Sequence, residues 1–176
     1  MKKYLGAIIS IITAALTIVF LSIPQFVVKI SMNGMNQNKT FSGWELFDKQ
    51  NNIEFQSMGG DAAFAKFSVI ALASVAGLLL TLAIIIIIKN ALKKDFNLNL
   101  VNNLLLILHI IVSLMTVIAL FALGTDMKSS MPAELLALIQ SSGGSVMFAP
   151  TLGAWLNVVV GIFATSIGWI FAKREY

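Results

Sequence analysis

The sequence contains no cysteine and only one histidine, and just 11% of its 176 residues are charged. Lack of cysteine removes disulfides, thiolate metal ligands and cysteine nucleophiles together. A lone histidine cannot build the multi-histidine metal sets either. A soluble domain carries about a quarter of its residues as Asp, Glu, Lys and Arg, so this composition cannot cover a water-facing surface. The acids are scarce and misplaced for chemistry: all eight, Glu45, Asp48, Glu54, Asp61, Asp95, Asp126, Glu134 and Glu175, lie outside the apolar runs. There is no intramembrane carboxylate pair, zinc-protease helix, phosphate loop or serine–histidine–acid set. The chain is read as non-enzymatic, with no catalytic residues, metal or cofactor.

What is abundant is apolar sequence, 58% of the chain. It gathers into four runs, residues 4–28, 67–88, 101–123 and 151–172. Each has about 20 residues or more, enough for a helix to cross a ~30 Å hydrocarbon core. No alternating barrel pattern appears, so backbone groups in lipid must be satisfied within helices. The fold class predicted is an all-α membrane protein: one domain over 1–176, a four-transmembrane-helix bundle. Its outer loops are 29–66 and 124–150. The first is partly structured, with a possible short strand in Thr40–Phe47. The second holds a short helix over Ala133–Gln140, started by Ser129-Ser130-Met131-Pro132, and Ser141–Ser145 closes it as a flexible stretch. Pro24-Gln25 marks the outer end of the first helix or a kink near it, and Pro150 begins the fourth.

The net charge of +4 is distributed by topology rather than as a nucleic-acid patch. Lys2 and Lys3 precede the first run, Lys89, Lys93 and Lys94 separate the second and third, and Lys173 and Arg174 follow the fourth. Four crossings put these three groups on one side, and that density places both termini in the cytoplasm. Such basic groups meet anionic lipid; no nucleic-acid partner is expected. The apolar run after Met1-Lys2-Lys3 is long for a signal core and is read as a retained helix. The missing cysteines and the Ile/Asn/Lys-rich composition favour a bacterial inner membrane.

Within the runs, small and polar residues are patterned. Ala73, Gly77 and Thr81 recur every fourth residue, as do Gly153, Asn157, Gly161 and Thr165. Small-xxx-small faces of this kind let helices pack closely. In the first run Gly6, Ser10, Ala14 and Thr17 form a similar narrow face. In the third, Asn102, His109, Ser113 and Thr116 share one helical stripe. With Asn157, they form a candidate intramembrane polar site. His109 is either a structural imidazole, neutral and hydrogen-bonded across helices, or a protonatable gate. In the outer loops, Phe41, Trp44, Phe47, Leu135 and Ile139 are candidate contacts for a partner; alternatively the first loop's aromatics are its own small core or its anchor to the bilayer.

The two-outer-loop, four-span layout, with Gly43-Trp44-Glu45-Leu46 in the longer first loop, is similar in outline to the claudin-like tetraspans. The paired loop cysteines of that family are absent, so its barrier function is not carried over. The expected function is an accessory or assembly subunit of a membrane complex, or a homo-oligomer, surrounded by membrane lipids. Two alternatives are a channel or transporter component with a polar path around His109, and an immunity-type protector against an extracellular toxin or peptide.

Overall fold

The computed structural model describes residues 4–47, 60–93 and 98–172. The elements in chain order are α1 (Leu5–Ser22), β1 (Pro24–Met32), β2 (Met35–Ser42), a 3-10 turn (Glu45–Phe47), α2 (Gly60–Ala91), α3 (Asn99–Ser129), α4 (Ala133–Ser141), β3 (Ser145–Pro150) and α5 (Leu152–Ala172). Four of the helices, α1, α2, α3 and α5, are long and apolar enough to cross a membrane. α1 packs on α2 and α5, and α3 packs on the same two helices. The four therefore form a ring, in which α1 and α3 also touch across the middle.

The polarity of this bundle is inverted relative to a water-soluble one. Ile12, Val19, Phe67, Ile88, Ile118 and Phe163 are all exposed. Ser10, Thr13, Thr17, Ser68, Asn102, His109, Ser113, Thr116 and Asn157 are buried. An outer surface of Ile, Val and Phe over this length is what lipid accepts and water does not. The interior apolar contacts run in layers. Leu72, Val69, Leu120 and Leu123 pack near the sheet, Leu79, Val75 and Leu106 in the middle, and Ala7, Ala83 and Ile86 near the α2–α3 connection.

The first apolar run does not stay helical to residue 28. α1 ends at Ser22, and Ile23 is already extended, at φ −90° and ψ 164°. Proline at 24 disfavours helical geometry for the residue before it and has no N–H to continue the ladder. Phe26, Val27, Val28 and Ile30 then form a strand, as β-branched and aromatic residues prefer. β1 turns into β2 through Asn33 and Gly34, both with positive φ (50° and 76°). This is the Asn-Gly two-residue hairpin whose twist matches the flanking strands. The strand in the first loop is therefore Met35–Ser42, not Thr40–Phe47.

β3 pairs antiparallel with β1 on the side opposite β2, giving the order β2-β1-β3. The segment 141–145, read as a flexible ending, instead closes α4 with glycines. Gly143 has φ +67°, Gly144 N–H donates to the Ile139 carbonyl at 2.8 Å and Gly143 N–H to Gln140 at 3.0 Å. That paired closure turns the chain directly into β3. Pro150 is the last residue of β3 rather than the first of α5. α2 and α3 extend beyond the apolar runs at both ends, with 32 and 31 residues.

Candidate functional site

The polar stripe on α3 faces inward, toward α1 on one side and α5 on the other. α1 and α3 run parallel, so their polar residues meet in register. Ser10 Oγ donates to Asn102 Oδ1 at 2.6 Å. Two turns further along, Thr17 Oγ1 lies 2.7 Å from His109 Nε2. The small residues of α1 permit this, since Ala7, Ser10, Ala14 and Thr17 recur at spacings of three or four and are buried. Their function is thus double: they admit the neighbouring helix, and two of them supply its hydrogen bonds. Ser113 Oγ donates to the His109 carbonyl at 2.7 Å. Thr116 Oγ1 lies 2.9 Å from the Val112 carbonyl and 3.3 Å from that of Ser68, linking α3 to α2.

Which nitrogen of His109 carries the proton depends on where the Thr17 hydroxyl donates. Its oxygen is also 2.8 Å from the Thr13 carbonyl. When the hydroxyl donates there, His109 Nε2–H donates to Thr17; when it donates to Nε2, the ring proton sits on Nδ1. Nδ1 is buried and has no partner among the described residues.

Opposite Nδ1 is Gly161 of α5. A Cβ built there would stand 2.8 Å from Nδ1 and 3.0 Å from Ile110 Cγ1. Glycine is required by the closeness of the α3–α5 approach. Gly153 is equally confined, against the Pro24 carbonyl and the Gln25 side chain. Asn157, one turn from each glycine, is buried; its Nδ2 is 3.5 Å from the Gly153 carbonyl, and its Oδ1 has no partner among the described residues. Thr165 is half-buried, and its Oγ1 has none among them either.

The Ala73, Gly77 and Thr81 face is placed differently from expectation. Ala73 is half-buried against the core, but Gly77 and Thr81 face outward. Nothing lies within 4 Å of a Cβ built on Gly77, and Thr81 Oγ1 donates back to the Gly77 carbonyl at 2.9 Å. Within the chain, α2 packs through Ala65, Val69, Leu72, Ala76, Leu79 and Ala83 instead. On that face Val69, Leu72 and Leu79 supply dispersion contact, and the alanines between them let the helices approach.

The loop residues also separate. Phe41 is buried beneath the sheet with Phe26, Leu21 and Leu46, and Ile139 is buried as well; neither offers a contact surface. Trp44, Leu135 and Leu138 are exposed, so α4 buries Ile139 while leaving Leu135 on the surface. The Trp44 indole N–H donates to Ser22 Oγ at 3.0 Å, at the end of α1. The Phe47 side chain lies outside the described residues, as do the lysines at 2, 3, 94 and 173 with Arg174.

Gln25, read in the sequence only with Pro24 as the mark of a helix end or kink, has an interior role. It is buried at the junction of bundle and sheet, and its Nε2 donates to the carbonyls of Phe20 at 2.5 Å and Ile23 at 3.2 Å. It closes the carbonyl end of α1 that Pro24 leaves open. A polar amide directly after a proline within an apolar run is the signal that marks it. No protein-family model matches this chain, and no curated protein matches it.

Proposed function

We propose that this chain is a non-enzymatic, multi-pass protein of a bacterial-type cell membrane. In this reading both termini are cytoplasmic, and the protein serves as an accessory or assembly subunit that offers its sheet to a partner. The observation that carries the reading is the pairing of β3 with β1, which joins both loops into one sheet. Thr151 N–H donates to the Gln25 carbonyl at 2.8 Å, Thr151 Oγ1 donates to the Pro24 carbonyl, and Gly43 N–H donates to Leu21 at 2.8 Å. The sheet is therefore fixed to the helices at three points. A bundle alone does not need such a platform, whereas recognition favours side chains held on rigid elements.

The platform's chemistry suits a protein surface. Lys29, Ile30, Ser31, Asn36, Asn38, Ser145 and Met147 line a depression of about 380 Å³. Amides, hydroxyls and one amine share it with Ile30 and the Met147 thioether, a mixed polar and apolar lining. The outward Gly77 and Thr81 give a second support, because they leave α2 open to close approach by another membrane helix.

The test places a photo-crosslinking residue at Asn38, at Gly77 and at the lipid-facing Ile118 in turn. The expected result is one membrane protein crosslinked from Asn38 and Gly77 but not from Ile118, and co-purifying in mild detergent at fixed stoichiometry. Monomer at all three positions contradicts the reading.

A further inference from the structure

β2 is the outer strand of the order β2-β1-β3, and no described strand pairs with its far edge. A two-residue hairpin is closed by a hydrogen-bonded pair, here Met32 and Met35, and such pairs alternate along an antiparallel ladder. Counting from the turn, Met35, Gln37 and Lys39 direct their backbone groups to β1. Asn36, Asn38 and Thr40 direct theirs to the open edge, and all three are exposed. Their side chains stand on the face of the sheet that carries the depression. Asn38 lies beside Lys29, itself opposite Met147, and Asn36 lies beside Ser31, opposite Ser145. Every residue lining the depression is neutral except Lys29. The three strands together hold two lysines, Lys29 and Lys39, and no acid.

On the reading of the sheet as a partner surface, we propose that the open edge of β2 takes an extended, acidic segment of a partner protein. The segment adds a fourth strand and sets a carboxylate toward Lys29 across Asn38. Backbone groups of Asn36, Asn38 and Thr40 hold the strand, and the lysine selects its charge. Two copies of β2 joined edge to edge would bring like charges together, so a second copy of this chain is disfavoured. The height of the site disfavours lipid. Ser10 with Asn102 and Thr17 with His109 keep one offset, which sets the end of α1 at Ser22 level with Leu114. Gly124, about 15 Å further along α3, lies against Phe148, and Phe148 is opposite Val28, the neighbour of Lys29. With its 18 residues α1 spans about 27 Å of a ~30 Å hydrocarbon core. Lys29 therefore stands beyond a headgroup layer of roughly 5–8 Å.

The full chain is reconstituted into phosphatidylcholine nanodiscs and titrated with short dye-labelled peptides, read by fluorescence anisotropy. One alternates Thr and Glu, one alternates Thr and Gln, and the third is the Glu peptide methylated at every backbone nitrogen. The Glu peptide is expected to bind about two- to five-fold tighter than the Gln peptide, the scale of one exposed ion pair. The methylated peptide is expected not to bind. In Lys29→Gln, a substitution at an exposed position, the preference for Glu disappears while the Gln peptide binds as before. Equal affinity for the Glu and Gln peptides, or a preference that survives Lys29→Gln, overturns the charge recognition. Binding of the methylated peptide overturns the added strand. Displacement of the Glu peptide by phosphatidylglycerol vesicles assigns the depression to an anionic membrane surface instead. Failure of every peptide to bind overturns the acidic strand alone, because the partner reading is decided separately by the crosslinks from Asn38 and Gly77.

Discussion

Thr17 and His109 form one of two side-chain hydrogen bonds that join α1 to α3, beside Ser10 and Asn102. Thr17→Val keeps the shape but removes the hydroxyl that pairs with Nε2. A buried polar group left without a partner costs about 1–3 kcal/mol. The expected outcome is a lower midpoint in a denaturant titration of the micelle-bound protein, with Thr17→Ser close to wild type. An unchanged midpoint for Thr17→Val would show that the imidazole takes no part in holding α1. The glycines make a sharper pair. Gly161→Ala drives a methyl into Nδ1 and Ile110, and overpacking of that kind costs about 1–3 kcal/mol. Gly77→Ala meets nothing among the described residues and should be neutral to stabilising, by up to about 1 kcal/mol, since alanine is the better helix former. Both glycines sit in the same small-xxx-small pattern, so equal effects would contradict the packing described here.

At the level of elements, the sheet register is the point most open to direct measurement. Lys29 of β1 lies opposite Met147 of β3. The chain has no native cysteine, so Lys29→Cys with Met147→Cys should be joined efficiently by a short bifunctional reagent. Lys29→Cys with Phe148→Cys should not, because a one-residue slip moves a side chain to the other face. The reverse preference would refute the register. This pairing is also where sequence reading stopped. Helices long enough to cross a membrane were legible from length and hydropathy, as was the inward stripe of α3 from its period. The strand Pro24–Met32 was not, since Phe26 to Ile30 is apolar whether it continues a helix or forms a strand. The Asn33-Gly34 pair was the available signal for the hairpin. β3 finds β1 more than a hundred residues away, a contact that no local pattern encodes. Ala73, Gly77 and Thr81 show a different limit: spacing tells which face permits close approach, not which face the bundle uses.

For the molecule as a whole, the arrangement assigns each end a role. One end holds the sheet, where Trp44 and Trp155 are exposed; the other holds the start of α1 and the end of α5, where Tyr4 and Trp169 are exposed. Aromatic residues at both ends of an apolar belt are the pattern of two membrane interfaces. If the proposed orientation holds, the sheet faces outward and the α2–α3 connection lies in the cytoplasm. Gly77→Leu then separates stability from assembly. It fills an outward groove, leaves the fold intact and weakens co-purification with a partner helix; undiminished co-purification would remove that face from the interface. The most direct test of the whole account uses single cysteines at Met35, on the sheet hairpin, and at Lys93, beside the α2–α3 connection. A membrane-impermeant maleimide is applied to intact cells. The account predicts that Met35→Cys labels at once and Lys93→Cys only after the membrane is opened. Equal labelling of both in intact cells, or labelling of Lys93→Cys alone, would contradict it.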